Sequence, residues 1–401
     1  MRLRQGNPFL IFTVFLALLA GLQPVKASER LVEKQRFSMP AFTTFNGSTI
    51  KNLQVGFESY GKLNREKSNV ILITHYFSGS SHAAGKYSQS DAKPGYWDTI
   101  IGPGKAIDTN QYFVISVDTL VNLNVGDKNV ITTGPASINP DTGKPYGLSF
   151  PVVTIRDFVN VQKAVLESLG IDSLYAVIGA SMGSMQALDW AVAYPDKVPR
   201  MISVIGSGEA DAWTTLALEQ WTLPIKLDPN WNKGDYYSRT PPMEGLTASL
   251  MMLTQQALHP EFINAANPHH NALDNKVLND INQSPAVVDW LRTMAEKRAQ
   301  TSDANHLLYL VRANQLYIAG HNKALNEALK AVKARCLFLP SNNDLLLMPY
   351  MARQVHNRLL ELHKHSYLTE IQGNAGHLNG LSHIQSQANT IAAFLADKEL
   401  P

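Results

Sequence analysis

One short stretch constrains the fold of this chain more than any other. The apolar run YAVIGA (residues 175–180) leads into GASMG (179–183), and a helical pattern follows as far as Tyr194. A serine flanked by glycines between a buried strand and a helix is typical of the sharp turn that presents a nucleophile at the edge of a sheet. The two glycines relieve the crowding of such a turn. The alternative is an ordinary tight turn in which the Ser181 hydroxyl satisfies only backbone groups.

Further apolar runs and helical patterns alternate along the chain. Buried strands are predicted at residues 70–74, 112–117, 175–180, 201–207, 335–340 and 366–373. Helices are predicted at residues 155–169, 185–194, 349–363 and 383–398. Because strands alternate with helices, we expect an α/β fold in which a mostly parallel sheet carries helices on both faces.

Residues 208–330 break this alternation. They are mostly helical in pattern and lack strand-like runs, and residues 305–332 are among their clearest helical segments. We interpret them as a helical cap inserted over the carboxyl edge of the sheet, with residues 28–207 and 331–401 forming the α/β core. The alternative is a set of helices that pack elsewhere on the core.

Residues 1–27 are predicted to be a signal peptide. Arg2 and Arg4 precede an apolar run of 14 residues, and the small residues Val25 and Ala27 suit a cleavage site. Since about 20 residues are needed to cross a bilayer, the run is short for a membrane-spanning helix. We therefore expect cleavage after Ala27 and an exported protein, periplasmic or secreted, without a stable membrane anchor. An uncleaved anchor is the alternative.

Charge and cysteine content exclude several classes of function. The formal net charge is +2, and loss of the leader lowers it to −1, because 35 basic residues become 32 against 33 acidic ones. A near-neutral exported chain gives no basis for nucleic-acid binding, so a small molecule is the expected partner. Cys336 is the single cysteine, so no intrachain disulfide can form. Its apolar neighbours favour a core role over a reactive thiol.

A serine nucleophile needs a base and an acid, which in this fold follow it in the order Ser, acid, His. His377 lies in the glycine-flanked loop GNAGHLNGL after the last predicted strand, and is the expected base. His383 is the second choice, because it starts the last helix. Asp344, in the loop SNNDLLLMP, is the expected acid. Glu370 lies within a predicted strand and has less freedom to reach an imidazole.

Two backbone N–H groups are predicted to bind the oxyanion that forms during acyl transfer. One belongs to Met182, directly after the serine, and the other to Phe77 in the loop THYFSGSSHAAG. His75 and His82 in the same loop raise the alternative of a metal site. No third ligand is suggested, so we expect structural hydrogen bonding there, no metal and no cofactor.

Longer segments carry a specific resemblance. Between residues 58 and 198 they are ESYGKLN, HYFSGSSHAAG, PGYWDTIIGPGKAIDTNQYFVI, TGPASINPDTGKPYGLSFPVVTIRDFV and GASMGSMQALDWAVAYPDKV. With SNNDLLLMP and GHLNGL, they resemble the homoserine O-acetyltransferase-like family of α/β-hydrolase-fold enzymes, although the resemblance is weak through the cap. It implies Ser181, Asp344 and His377 as a catalytic triad and Phe77 and Met182 as the oxyanion hole. It also implies acetyl-CoA as a co-substrate and pairing of two copies through the cap.

The departures from this family concern the substrate. Members that acetylate homoserine typically carry GHD at the catalytic histidine, and that aspartate helps to hold the amino group, whereas Leu378 stands here. Their cap motif GLxxAR, with an arginine suited to a carboxylate, is replaced by GLTASL, with Ser249 at that point. Arg312 in YLVRANQ remains and could bind a carboxylate. A corresponding family aspartate is replaced near Gln315.

Three functions follow from these observations. The first is an exported serine esterase or acyl hydrolase acting on a small or medium ester, because acyl-transfer residues are kept while contacts to an amino acid are lost. The second is an O-acetyltransferase that moves acetyl from acetyl-CoA to homoserine or another alcohol. The third is a non-catalytic exported binding protein on a hydrolase scaffold.

Overall fold

The computed structural model describes residues 31–268, 274–321 and 324–400, and its centre is an eight-stranded sheet. The strands are β1 (Gln35–Thr43), β2 (Thr49–Tyr60), β3 (Val70–Thr74), β4 (Phe113–Val117), β5 (Ala176–Ala180), β6 (Arg200–Val204), β7 (Arg335–Leu339) and β8 (Ser366–Leu368). Their order is β1-β2-β4-β3-β5-β6-β7-β8. The pairs β1–β2 and β2–β4 are antiparallel, and all other pairs are parallel. The predicted mostly parallel α/β sheet is therefore confirmed.

Helices connect and cover these strands. They are α1 (Ile155–Ser168), α2 (Met182–Ala193), α3 (Ala212–Gln220), α4 (Leu223–Leu227), α5 (Met243–Ala257), α6 (Pro260–Ala266), α7 (Asn275–Asn279), α8 (Ala286–Ala299), α9 (Ala304–Gln315), α10 (Leu325–Leu329), α11 (Pro349–Glu361), α12 (Asn379–Ser382) and α13 (Ala388–Leu395). Helices α3 to α10 all lie between β6 and β7, where the cap is predicted. Two short ribbons pair Ile101–Gly102 with Ile107–Asp108 and Ile138–Asn139 with Lys144–Pro145.

Alternating apolar side chains place a hydrophobic core on each face of the sheet. Leu72 and Val177 belong to one buried cluster, and Ile71, Ile73 and Ile178 belong to the other. All five side chains are fully buried. Because the side chains on both faces of these central strands are removed from water, the strands consist of continuous apolar runs.

The two strands at the antiparallel edge are absent from the sequence prediction. In β2, Leu53, Val55 and Phe57 lie in the core and are separated by the half-buried Gln54 and by Gly56, so no continuous apolar run marks the strand. The hairpin that joins β1 to β2 contains Asn46 and Gly47, and Gly47 has φ +87°. An Asn-Gly pair between alternating patterns was the available signal.

Some predicted boundaries were wrong. The strand expected to run to residue 373 ends at Leu368, and the helix expected from residue 383 is a 3₁₀ turn at Ile384–Gln387 followed by α13. The segment 305–332 is not one helix, because α9 ends at Gln315 and Gly320 has φ +84°. A left-handed backbone conformation cannot continue a right-handed helix.

The predicted signal peptide lies outside the described residues. Among the residues that are described, no helix is long and apolar enough to cross a membrane.

Candidate active site

Ser181 lies in a strained turn between β5 and α2. Its backbone has φ 56° and ψ −122°, a combination that serine adopts only where its surroundings force it. A Cβ atom at Gly179 would collide with the Gly183 carbonyl oxygen, and one at Gly183 would collide with the Thr74 carbonyl oxygen. Gly179 therefore relieves crowding within the turn, as predicted, and Gly183 also permits close packing of the turn against β3.

The structure brings Ser181, His377 and Asp344 together. His377 Nε2 lies 2.8 Å from Ser181 Oγ, and His377 Nδ1 lies 2.6 Å from Asp344 Oδ2. All three side chains are buried. With Nδ1–H donating to the carboxylate, Nε2 is left as the acceptor for the serine proton, which is the arrangement that activates a serine nucleophile.

The second carboxylate oxygen of Asp344 is held by backbone groups. Asp344 Oδ1 accepts hydrogen bonds from the N–H groups of Leu346 at 2.8 Å and Leu347 at 3.0 Å. These bonds leave Oδ2 free to face the imidazole. The backbone on one side and the imidazole on the other therefore fix the orientation of the carboxylate.

A polar network that was not predicted from the sequence joins the acid loop to the histidine loop. Asn379 Nδ2 donates to Ser341 Oγ at 2.9 Å and to Asn343 Oδ1 at 3.0 Å. Ser341 Oγ donates to the Gly376 carbonyl at 2.7 Å, and Asn343 Nδ2 donates to the Gly373 carbonyl at 2.9 Å. The small polar residues of SNND and GHLN were the available signal, since such residues often bond to nearby backbone.

The competing acid and base candidates point elsewhere. His383 Nδ1 lies 2.9 Å from Ser382 Oγ, and no contact links it to Ser181. Glu370 forms an ion pair with Arg353. The geometry thus favours His377 and Asp344 over the two alternatives.

The two proposed oxyanion donors flank the serine turn. Among the described residues, the N–H groups of Phe77 and Met182 donate to no backbone or side-chain acceptor. Phe77 follows His75, whose carbonyl accepts a hydrogen bond from Gln186 Nε2 in α2 at 3.3 Å. The loop after β3 is therefore held against the start of α2, so both donors lie at the same end of the sheet as Ser181.

His75 holds this loop in shape. It is fully buried, its Nδ1 bonds to the Tyr76 carbonyl at 2.8 Å, and its Nε2 accepts from the Thr119 N–H at 3.1 Å. Burial lowers the pKa of His75, which favours the neutral ring that these two bonds require. This is the structural hydrogen bonding predicted for His75.

Beneath the loop lies a buried cluster of charges. Lys34 Nζ is 2.8 Å from Glu58 Oε1 and 3.2 Å from Asp118 Oδ2. His82 Nδ1 lies 3.0 Å from Glu58 Oε2, and Asp118 Oδ1 accepts from the Ser81 N–H at 2.7 Å. Burial opposes ionisation of Glu58, but the hydrogen bond to His82 and the Lys34 charge outweigh it and lower the pKa of Glu58 to about 2.

This depressed pKa predicts an acid-sensitive contribution to stability. A carboxyl whose folded pKa lies below its unfolded value of 4.5 stabilises the fold above that pH, and the contribution disappears as the pH falls toward 2. The difference corresponds to about 3 kcal/mol. We expect Glu58→Gln to have a lower free energy of unfolding than wild type at pH 7, as measured by urea denaturation. Between pH 7 and pH 3 the variant should lose less of that free energy than wild type loses. Glu33→Gln, at an exposed position, is the control; an equal acid loss in wild type and Glu58→Gln would contradict the assignment.

No group of three His, Cys, Asp or Glu side chains in the described ranges is arranged to bind a metal. Cys336 is fully buried in β7, and burial raises the pKa of its thiol to about 12. A thiol of that kind is a poor nucleophile, in agreement with the core role predicted for it.

The residues around the predicted substrate pocket are uncharged where the family carries charge. Leu378, directly after His377, is half-buried. In GLTASL, Ser249 stands at the alanine of GLxxAR and Leu250 at its arginine, so the assignment of Ser249 to the arginine position was wrong. Both side chains are fully buried in α5, and Ser249 Oγ has no hydrogen-bond partner.

Arg312 is not joined to the triad. Its side chain is exposed on α9, and its Nε donates to Gln315 Oε1 at 3.1 Å. Gln315 in turn donates to Glu219 Oε2 at 3.0 Å in α3. These contacts belong to the cap surface, so a role for Arg312 in binding a carboxylate stays a prediction.

The class of protein follows from this fold and site together with a family comparison. Residues 104–380 match the family model of the α/β hydrolase fold. An eight-stranded sheet with a serine at the turn after β5 is therefore part of an enzyme of the α/β-hydrolase superfamily.

Individual relatives narrow the class. The homoserine O-acetyltransferase of Methanococcoides burtonii is 39% identical over 342 residues, which is 84% of this chain and 68% of that protein. The crystal structure of homoserine O-acetyltransferase from Bacillus anthracis is 38% identical, with a TM-score of 0.88 over 93% of this chain and 99% of that one. The chain belongs to the homoserine O-acetyltransferase family, as its motifs indicated.

A second kind of relative is an esterase. The crystal structure of esterase E22 is 61% identical to this chain, with a TM-score of 0.90 over 91% of this chain and 100% of that one. Together these relatives support an acyl-transfer or esterase role, and they argue against a non-catalytic binding protein.

Proposed function

We propose that this protein is a serine esterase that transfers the acyl group of a small or medium ester to water. The observation that carries the proposal is the chain of contacts from Ser181 Oγ through His377 to Asp344, at 2.8 and 2.6 Å. The first distance suits proton transfer from Ser181 to His377 without any rearrangement, and the second suits a hydrogen bond that fixes the imidazole tautomer.

The reaction would take place in two halves. Ser181 Oγ attacks the ester carbonyl carbon while His377 Nε2 takes the hydroxyl proton, and the resulting oxyanion accepts hydrogen bonds from the N–H groups of Phe77 and Met182. His377 passes its proton to the alcohol oxygen as the ester bond breaks, which leaves an acyl-serine. A water molecule then gives a proton to His377 and attacks the acyl carbon, and the proton returns to Ser181 as the acid leaves.

Water as the acceptor is supported by the residues beside the histidine. Leu378 supplies no charge to hold the ammonium group of an amino acid, and Leu250 and Ser249 supply none to hold its carboxylate. The 61% identity to a protein named as an esterase supports the same choice. So does the predicted export, because acetyl-CoA is a cytoplasmic donor.

Acetyl transfer from acetyl-CoA to homoserine is the second candidate. The named relatives as a group favour it more than they favour hydrolysis, because the family to which the chain belongs takes its name from that reaction. The same serine, histidine and aspartate would serve, and only the group that accepts the acyl-enzyme would differ.

Leu378→Asp is the variant that separates the two candidates. We expect the wild type, given acetyl-CoA and homoserine, to release mainly free acetate. The variant should raise the ratio of O-acetylhomoserine to acetate by about 10-fold, because a carboxylate beside His377 can pair with the ammonium group of homoserine. Mass spectrometry of the products measures the ratio. Leu378→Asn is the control without charge, and a wild type that already forms mainly O-acetylhomoserine would establish the second candidate instead.

A further inference from the structure

Arg298, near the end of α8, is a cation without an acidic partner. No carboxylate of the described residues lies within ion-pair distance of it, and its recorded side-chain bond runs from Nη1 to Thr254 Oγ1 at 2.7 Å. Arg292 on the same helix behaves differently, since it is exposed and pairs with Glu244 at 3.3 Å. A guanidinium that is mostly enclosed by protein and unpaired is costly, so its presence calls for an anionic partner that the described residues do not supply.

One chain of contacts places Arg298 near the histidine loop. Its partner Thr254 lies in α5, three residues before Ala257, so that the two are about one helical turn apart. A Cβ atom at Gly376 would lie 3.3 Å from the Ala257 carbonyl oxygen. Gly376 directly precedes His377, so the end of α5 joins the Arg298 contact to the base of the triad.

A second chain of contacts places Arg298 near the oxyanion loop. The Arg298 carbonyl accepts from Ser302 Oγ at 3.0 Å, and Ser302 Oγ lies 3.5 Å from Asn124 Oδ1. Asn124 Nδ2 donates to the Ser78 carbonyl at 2.9 Å. Ser78 directly follows Phe77, so the end of α8 is tied to the loop that supplies an oxyanion donor.

Arg298 and Tyr76 have the features of residues that line a cavity. Burial lowers the pKa of Arg298 and raises the pKa of Tyr76, and the Arg298 charge acts on the phenol in the opposite direction. Both side chains nevertheless keep part of their surface accessible. The Tyr76 hydroxyl has no hydrogen-bond partner within the described parts of the chain. Both side chains are therefore accessible in part to a bound molecule.

We propose that Arg298, together with the Tyr76 hydroxyl, binds a carboxylate of the substrate, and that the enzyme prefers esters carrying one. This inference rests on the proposed acyl-transfer function and names its substrate class. A guanidinium offers a planar pair of N–H donors that matches a carboxylate, and a phenol can add a third hydrogen bond. Thr254, which holds Arg298, donates to the Leu250 carbonyl at 2.7 Å, so the cation is held about one helical turn from the position where the family carries its cap arginine. Here the positive charge comes from α8 and not from α5.

Matched pairs of esters test the proposal. Phenyl acetate and 4-acetoxybenzoate differ by a carboxylate on the alcohol side, and p-nitrophenyl butyrate and p-nitrophenyl hemisuccinate differ by one on the acyl side. We expect Arg298→Met to lower kcat/KM by about 10-fold or more for the anionic member of at least one pair, and by less than about 2-fold for both neutral esters. Arg298→Lys should retain part of the preference, and Arg292→Met should change neither pair. Equal losses on neutral and anionic esters, or no loss at all, would overturn the anion site.

Two further measurements distinguish anion binding by Arg298 from a structural role and from failure of the proposed function. Thermal unfolding of Arg298→Met should show no loss of stability, since the substitution removes an unpaired cation, whereas a structural role predicts a lower Tm. Calorimetric binding of 4-hydroxybenzoate to Ser181→Ala should be lost in Ser181→Ala/Arg298→Met. If the wild type hydrolyses none of the four esters, the proposed function fails, and this binding comparison then decides the anion site alone: equal or absent binding in both proteins overturns it.

Discussion

Ser181→Ala should lower kcat for p-nitrophenyl butyrate by up to about 10⁶-fold, the scale of loss when the nucleophile of a triad is removed. The hydroxyl oxygen lies 2.8 Å from His377 Nε2 and provides the atom on which the acyl group is carried. Alanine leaves the base, the carboxylate and the oxyanion donors in place, so the residual rate reports what they achieve with water alone. Steady-state kinetics, with intact-mass spectrometry to detect acyl-enzyme, would measure the effect.

Ser382→Ala is the matched control for this experiment. Ser382 is exposed at the end of α12, three residues beyond Asn379, and its hydroxyl bonds to the Leu378 carbonyl at 2.9 Å. The control should keep wild-type kinetics and should still react with a fluorophosphonate probe, whereas Ser181→Ala should not be labelled. Wild-type turnover by Ser181→Ala would refute the serine mechanism.

Sequence patterns predicted the parts of the fold in which the run of apolar residues matches the residues that are buried in the structure. The strand at residues 70–74 is buried on both faces, so its apolar run is its signal. In β2 the apolar residues are interrupted by Gln54 and Gly56, and its identity as a strand depends on pairing with β1 and β4. Residues 305–332 have helical character throughout, but the left-handed Gly320 depends on contacts with Val192 and Ala328 that no local pattern reveals.

The candidate site also contains residues that the sequence predicts and residues that only the structure reveals. The order of serine, acid and histidine follows from where loops leave a parallel sheet, and it predicts Asp344 and His377 from the sequence alone. The network of Ser341, Asn343 and Asn379 joins loops that are more than 30 residues apart, so the small polar residues of each loop could be noticed in the sequence but their pairing could not. Arg298 was unremarkable in the sequence, because the lack of an acidic partner is a property of how α5 and α8 pack.

Asp344→Asn should lower kcat by about 10⁴-fold while leaving the fold intact. The Oδ1 position must remain an acceptor, because the N–H groups of Leu346 and Leu347 point at it from 2.8 and 3.0 Å. The asparagine oxygen would occupy that position and turn its NH₂ group toward His377 Nδ1. Nδ1 would then have to accept a hydrogen bond, and the proton would move to Nε2. An imidazole with a proton on Nε2 cannot take the proton of Ser181, so the variant would hold the base in the wrong tautomer.

Glu370→Gln is the control for this substitution, because Glu370 is the competing acid and pairs with Arg353 outside the triad. We expect it to retain activity within about 2-fold, in line with the small effects of most surface substitutions. Stopped-flow measurement of acylation would place the Asp344→Asn defect in proton transfer from Ser181, and a normal circular dichroism spectrum would exclude misfolding. Comparable losses in the two variants, or acylation at the wild-type rate in Asp344→Asn, would mean that the carboxylate holds the loop and does not set the tautomer of the base.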